Sequence, residues 1–82
     1  MSIKRLGKVL HISKSGRLVV RSQTEVKLGM AVVNQELRRI GVVFDIFGSV
    51  ANPYISIKPS VRDLDQYVGQ PLYVEESTER RR

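Results

Sequence analysis

The segment from residue 41 to residue 57 limits the fold of this chain more than any other part. Two apolar stretches of strand-forming residues flank a turn of small residues that runs from Gly48 to Pro53. Alternation along the first strand assigns bulky side chains to both faces, with Ile40, Val42, Phe44 and Ile46 on one and Val43 and Phe47 on the other. Such a strand lies either between two layers or with one face against another molecule.

Short strand patterns separated by turns cover most of the remaining chain. The predicted strands are residues 6–12, 17–21, 30–34, 39–47, 54–58 and 71–74. The first two form a hairpin around the turn residues Ser13 to Gly16. Gly41 lies inside the longest strand, where a glycine marks a bulge, a bend or a close approach of two backbones.

Residues 60–68 follow a different period. Ser60 is followed by an acid three residues later, a pattern typical of a helix start. Val61, Leu64 and Val68 then fall at helical spacing. We predict one or two helical turns or an irregular loop in this segment.

The size of the chain favours a closed sheet. The 82 residues make one domain, and a chain this short buries only about 60–65% of its unfolded surface, so its core must be closed efficiently. Six short strands with frequent turns predict an all-β fold, a small closed six-stranded antiparallel barrel over residues 1–76. Residues 77–82 are charged and poor in apolar side chains, and we predict that they form a mobile tail.

The residue types that catalysis and metal binding need are scarce. The chain has no cysteine and a single histidine, His11, which cannot build a metal site alone. Its glycines are isolated and form no phosphate-binding loop. We therefore predict a protein that is not an enzyme and that holds no metal or cofactor. With no apolar run of membrane-spanning length and no cysteine, we expect no membrane association and a cytosolic or nuclear location.

The positive charge is unevenly distributed. The formal net charge is +6, and residues 1–44 carry nine lysines and arginines against two acids, a charge of +7. Arg80, Arg81 and Arg82 add a basic end to an otherwise acidic second half. This asymmetry favours a protein that functions close to a polyanion, although a basic half also helps to keep a protein soluble. The terminal arginines could contact RNA phosphates or could simply be solvated.

The alternation along the strand of residues 39–47 assigns Phe44 to the barrel interior, whereas Phe47 has two interpretations from pattern alone. It either closes the end of the barrel as core or stands out as an aromatic anchor beside the Gly48–Pro53 turn. Aromatic residues on a rigid turn are the composition preferred at the centre of protein interfaces.

The same residues resemble the hallmark segment of a known family. Residues 41–50, followed by Pro53 and Tyr54, are similar to a segment of the Gar protein of H/ACA ribonucleoproteins, the RNA-guided pseudouridine synthases. Residues 6–11 and 15–20 also resemble the opening hairpin of that protein, so the resemblance covers about residues 5–75. Ser49 departs from the family, in which many members carry proline there. The glycine- and arginine-rich tails of eukaryotic members are absent, so the chain resembles the archaeal, core-only form.

The resemblance implies a six-stranded barrel of translation-factor type that docks on the catalytic synthase subunit. It implies control of a mobile loop of that subunit, and hence of substrate loading and product release in rRNA pseudouridylation and ribosome biogenesis. Other H/ACA proteins and the guide RNA belong to the same particle, and the resemblance implies that RNA contact is indirect. The resemblance to the archaeal form implies a cytoplasmic location, whereas it implies a nucleolar one for eukaryotic relatives.

The residues carried over as docking candidates are Asp45, Ile46, Phe47, Gly48, Val50, Pro53 and Tyr54. Gly48 and Pro53 are expected to shape the turn, because they constrain the backbone more than they supply contact. Phe47 is the expected main contact. The alternative function is a small β-barrel that binds RNA directly or associates with the ribosome, as the basic first half favours.

Overall fold

The computed structural model describes residues 2–76 of the chain. The predicted mobile tail, residues 77–82, and the candidate RNA contacts Arg80, Arg81 and Arg82 lie outside the described residues. The strands are β1 (Ser2–Ile12), β2 (Leu18–Arg21), β3 (Ala31–Val33), β4 (Arg39–Gly48), β5 (Pro53–Pro59) and β6 (Pro71–Glu76). A short 3₁₀ turn, Leu64–Tyr67, precedes β6.

The six strands form one closed barrel in the order β1-β2-β5-β4-β3-β6, and every neighbouring pair is antiparallel. The predicted all-β, six-stranded antiparallel barrel is therefore confirmed. The predicted hairpin of β1 and β2 is also present, with Ile12 opposite Leu18. Within residues 2–76, no helix has the length and apolar character needed to cross a membrane.

The barrel interior is filled by aliphatic side chains from all six strands. Completely buried residues are Leu6, Leu18, Val20, Val32, Ile40, Ile55, Ile57, Leu72 and Val74. Tyr67, from the 3₁₀ turn, packs into the same cluster and covers it. Two backbone hydrogen bonds hold this cover against β1, from Gly69 N–H to the Val9 carbonyl (2.8 Å) and from Val9 N–H to the Gln70 carbonyl (3.0 Å).

The start of the 3₁₀ turn differs from the predicted helix start. Asp63, in a left-handed conformation, precedes the turn and makes no side-chain cap. The Ser60 hydroxyl donates instead to the Ile40 carbonyl at 3.2 Å, across to β4. The spacing of Ser60 from an acid predicts a helix N-cap. In the structure its hydroxyl bonds to a backbone carbonyl of β4 and does not cap the turn.

The prediction that Phe44 lies in the core is wrong, and a β-bulge is the reason. Val43 pairs with Ile57 and Asp45 pairs with the very next residue, Ser56, so Phe44 is an extra residue in β4. The alternation also shifts earlier in β4, where Val32 pairs with Gly41 and Val33 with Arg39, so that Ile40 is an extra residue opposite β3. The inward position therefore passes from Ile40 to Val43, and Phe44 follows on the outer side. Val43 points inward and is buried, whereas Phe44 lies on the outer surface with 47% of its area exposed.

Gly41 marks a close approach of two backbones, one of the three features predicted for it. A Cβ atom at this position would overlap the Lys58 carbonyl oxygen and would lie 2.9 Å from the Pro59 Cα atom. β4 and β5 can run this close together only because residue 41 has no side chain.

Candidate functional site

The predicted docking residues lie on the hairpin of β4 and β5, past the point where β3 stops pairing with β4. β3 pairs with β4 only at Arg39, Gly41 and Val42, whereas β5 pairs with β4 as far as Gly48. Among the described residues, the last part of β4 therefore has a strand neighbour on one side only. Every residue from 44 to 52 is exposed, so the hairpin offers a free surface.

An aromatic row crosses the outer face of this hairpin. Tyr54 pairs directly with Phe47 on one side and with Arg21 of β2 on the other, which places all three side chains on the same face. The Phe47 and Tyr54 rings are stacked, with centroids 5.7 Å apart and planes 24° apart. The Arg21 guanidinium carbon lies 5.9 Å from the Tyr54 ring centroid. Phe47 is 45% exposed, so it does not close the barrel as core.

A second arginine covers the third aromatic ring of this surface. The Arg17 guanidinium carbon lies 3.9 Å from the Phe44 ring centroid, within the range of a cation–π contact. Arg17 Nη1 donates to the Ser15 hydroxyl at 2.9 Å, while its buried Nε atom has no hydrogen-bond partner among the described residues. The guanidinium is thus held against the ring by the turn between β1 and β2.

Ile46 lies on the other face of the hairpin. It pairs with Ile55, which is completely buried, and 37% of its own area remains exposed. Together with Val50 and Pro53 it lines a cleft of about 480 Å³ between the hairpin and the loop after β2. The seven docking candidates therefore divide between two surfaces, and Ile46 and Phe47 point in opposite directions.

The turn between β4 and β5 holds the aromatic row in position. Gly48 has φ 91°, and a Cβ atom there would lie 2.9 Å from Cδ2 of Tyr54. Any other residue would be strained and would press on the ring that stacks with Phe47. The Ser49 hydroxyl accepts a hydrogen bond from Ala51 N–H at 3.2 Å, and the Pro53 carbonyl accepts one from Ser22 N–H at 2.9 Å.

Asp45 protects the free edge of β4. Its Oδ1 atom accepts a hydrogen bond from Ile46 N–H at 2.9 Å. A carboxylate on an edge strand discourages pairing with other strands. The hairpin therefore favours side-chain contacts over strand addition.

Sequence reasoning missed Phe44, Arg17 and Arg21 as members of this surface. Phe44 was missed because a bulge is set by how two strands meet and has no local signature in β4. The arginines were missed because their contacts cross between strands. The pairing of β2 with β5 would have placed Arg21 beside Tyr54.

Within residues 2–76 no group of three or more His, Cys, Asp or Glu side chains could hold a metal ion.

Comparison with known proteins gives one family and two archaeal relatives. A family model described as "Gar1/Naf1 RNA binding region" matches residues 3–81. The chain is 45% identical over 76 residues to an uncharacterized protein of Methanothermobacter thermautotrophicus, which covers 88% of this chain and 83% of the relative. It is 42% identical over 57 residues to an uncharacterized protein of Methanocaldococcus jannaschii, covering 70% of this chain and 69% of the relative.

Proposed function

Because this chain belongs to the Gar1/Naf1 RNA binding region family, we propose that it is a non-catalytic subunit of an H/ACA RNA-guided pseudouridine synthase complex. In this proposal the barrel docks on the catalytic subunit and regulates the loading of substrate RNA and the release of product. The family match and the resemblance of residues 41–54 support the proposal that the chain belongs to an H/ACA complex. The exposed Phe47 ring, stacked on the half-buried Tyr54, is the single observation that supports docking through this hairpin.

The aromatic row has the properties of an interface anchor. Phe47 is half-exposed, although burying a side chain of this kind fully is worth about 1.5–3 kcal/mol. Its orientation is fixed before binding by stacking on Tyr54, which itself lies in a strand paired on both sides. A preorganised aromatic side chain loses little conformational entropy when it binds. A protein partner with an apolar recess would gain most of that burial energy.

Regulation of the synthase requires more than docking. A bound subunit shifts the equilibrium of a mobile loop only if it binds the open and closed states with different affinity. Contacts worth about 2 kcal/mol that form in one state only would change the loop equilibrium by about 30-fold. The exposed side chains of Phe44 and Phe47 and the half-buried Tyr54 lie on the outer side of the hairpin, where a partner segment could contact them in one state and leave them in the other.

Co-elution tests the proposal most directly. The purified chain is mixed with the catalytic synthase subunit and chromatographed by size, with and without guide RNA. We expect a stable complex in both cases, because docking is between proteins. Separate elution of the two proteins under both conditions would contradict the proposed function.

A direct RNA-binding or ribosome-associated barrel is the second candidate function. The clustering of basic residues in the first half favours it, with a charge of +7 over residues 1–44. It predicts that the isolated chain elutes with RNA and never with the synthase alone. The guide-free arm of the co-elution experiment separates the two candidates.

A further inference from the structure

A basic cleft lies beside the aromatic row, where β1 passes the end of β2. Its volume is about 410 Å³, and three cationic side chains line it, Arg5, Lys8 and Arg21. The amides of Gln23 and Asn52 also line it, and no carboxylate of residues 2–76 does. All three cations are exposed to solvent, and none makes an ion pair with a described carboxylate.

The backbone forms this cleft without a ligand. The Gln23 N–H donates to the Leu6 carbonyl at 2.9 Å, which ties the loop after β2 to β1 between Arg5 and Lys8. The loop is tied to the β4–β5 hairpin by the Ser22 hydrogen bond to Pro53 described above. Arg5 and Lys8 therefore stand on β1 and Arg21 at the end of β2, two segments that these backbone hydrogen bonds already join.

A larger cleft elsewhere on the barrel also contains cations, but acidic side chains accompany them there. That cleft has a volume of about 770 Å³ and also contains three cations, Lys4, Lys27 and Arg39, but it contains Glu25, Glu75 and Glu76 as well. Lys4 forms an ion pair with Glu76 at 3.2 Å. Its charges therefore offset each other, whereas those of the basic cleft do not.

The family model that matches this chain is described as an RNA binding region, and we propose that the basic cleft is the place where this barrel binds the sugar–phosphate backbone of single-stranded RNA. This proposal rests on the second candidate function above and assigns it a site. Arg5, Lys8 and Arg21 supply charge for phosphates, and the amides of Gln23 and Asn52 supply donors and acceptors for sugar hydroxyls and base edges. The regularly repeated negative charge of an RNA backbone matches a cleft that is lined by three cations and by no carboxylate of residues 2–76. The site differs from the one proposed for docking, because only Arg21 belongs to both surfaces.

RNA binding in this cleft does not require the synthase, so it can be measured on the isolated chain. The probe is a labelled oligouridylate of about 15 nucleotides, and its fluorescence anisotropy is followed between about 50 and 200 mM salt. The test variant carries Arg5→Ala and Lys8→Ala, neither of which lies in the docking surface. The matched control carries Lys27→Ala and Arg39→Ala, which removes the same charge from the larger cleft.

We expect the Arg5→Ala, Lys8→Ala variant to lose at least about tenfold in RNA affinity at low salt. The slope of log affinity against log salt should fall by about 1.4, since each lost phosphate contact in a single strand accounts for about 0.7. The control variant should change affinity less than about twofold. A charge-retaining variant, Arg5→Lys with Lys8→Arg, should bind nearly as well as the unchanged protein.

Three results would overturn the proposal. Equal weakening by the test and control variants would mean that net charge alone attracts RNA. Loss of binding on replacing Arg80, Arg81 and Arg82 with alanine, with no effect of the test variant, would assign RNA contact to the terminal arginines. A test variant that keeps its RNA affinity but no longer binds a polyglutamate peptide would identify an acidic protein segment as the occupant. Co-elution of the test variant with the synthase reports separately on docking.

Discussion

The guanidinium carbon of Arg17 lies 3.9 Å from the ring centroid of Phe44, and this contact joins the first hairpin to the bulge of β4. The contact explains how an exposed phenylalanine is tolerated at a β-bulge. The cation covers one face of the ring, and the buried Nε atom of the arginine has no hydrogen-bond partner within residues 2–76.

Arg17→Ala should lower the free energy of unfolding by about 1 kcal/mol, because it removes a cation–π contact worth about 0.5–1 kcal/mol together with side-chain packing. In a domain of this size the melting temperature would fall by about 4–8 °C. Thermal unfolding followed by circular dichroism measures the change. Arg38→Ala, at an exposed turn position, is the control and should leave the melting temperature nearly unchanged. Equal melting temperatures for both variants would mean that the Phe44 contact contributes nothing.

The strands and the barrel could be predicted because their signals are local. Turn residues separate the strands, and each strand carries enough β-branched residues to be recognised. The inward or outward direction of side chains could not be predicted past a bulge. Leu10 shows this in β1, where Val9 pairs with Val20 and His11 with Val19, so Leu10 is an extra residue and lies exposed. Phe44 shows the same in β4.

The candidate site was predictable in its position but not in its shape. The small-residue turn and the aromatic residues around it indicated Phe47 and its neighbours, the family resemblance supplied the docking candidates within residues 45–54, and their role in docking stays a prediction. The division of these residues between two faces depends on register, which the bulge at Phe44 changes by one residue. The contribution of β2 depends on pairing between distant segments, which no local pattern encodes.

Gly41→Ala should be strongly destabilising. The added methyl group would overlap the Lys58 carbonyl oxygen and meet the Pro59 Cα atom, both parts of the backbone that cannot turn aside. Overpacking of this kind costs about 1–3 kcal/mol or more, because β4 and β5 must move apart. Urea denaturation measures the loss. Arg39→Ala, on the same strand but exposed, should lose less than about 0.5 kcal/mol. A stable Gly41→Ala variant would show that the two strands are not held this closely.

Gly48→Ala should weaken docking as well as stability. Residue 48 has a positive φ, and a methyl group there would lie 2.9 Å from the Tyr54 ring. We expect about 1–2 kcal/mol of destabilisation from the backbone strain. The displaced Tyr54 ring would also shift Phe47, so affinity for the synthase should fall by more than the loss of stability explains. Calorimetric titration at a temperature where the variant is fully folded measures the affinity. Unchanged affinity there would separate the turn from the docking surface.

Phe47→Ala should weaken binding to the catalytic subunit by about 2 kcal/mol or more, roughly 30-fold, because the ring is the exposed anchor of the proposed interface. The fold should remain, since half of the ring is already in water. Calorimetric titration against the synthase subunit gives the affinity. Leu28→Ala, which truncates an exposed apolar side chain in the loop before β3, is the matched control and should bind normally. A Phe47→Ala variant with full affinity and a lower melting temperature would assign the ring a structural role alone.

Ile46→Ala decides which face of the hairpin docks. Ile46 and Phe47 are neighbours in sequence, yet Ile46 pairs with the buried Ile55 while Phe47 stacks on Tyr54. If the outer face carries the interface, truncating Ile46 removes packing next to the core and should cost about 1–2 kcal/mol of stability, with a smaller loss of affinity than Phe47→Ala shows. The free energy of unfolding and the affinity for the synthase are measured for both variants and compared. The opposite result, in which Ile46→Ala loses more affinity than Phe47→Ala, would move the interface to the cleft that Ile46 shares with Val50 and Pro53.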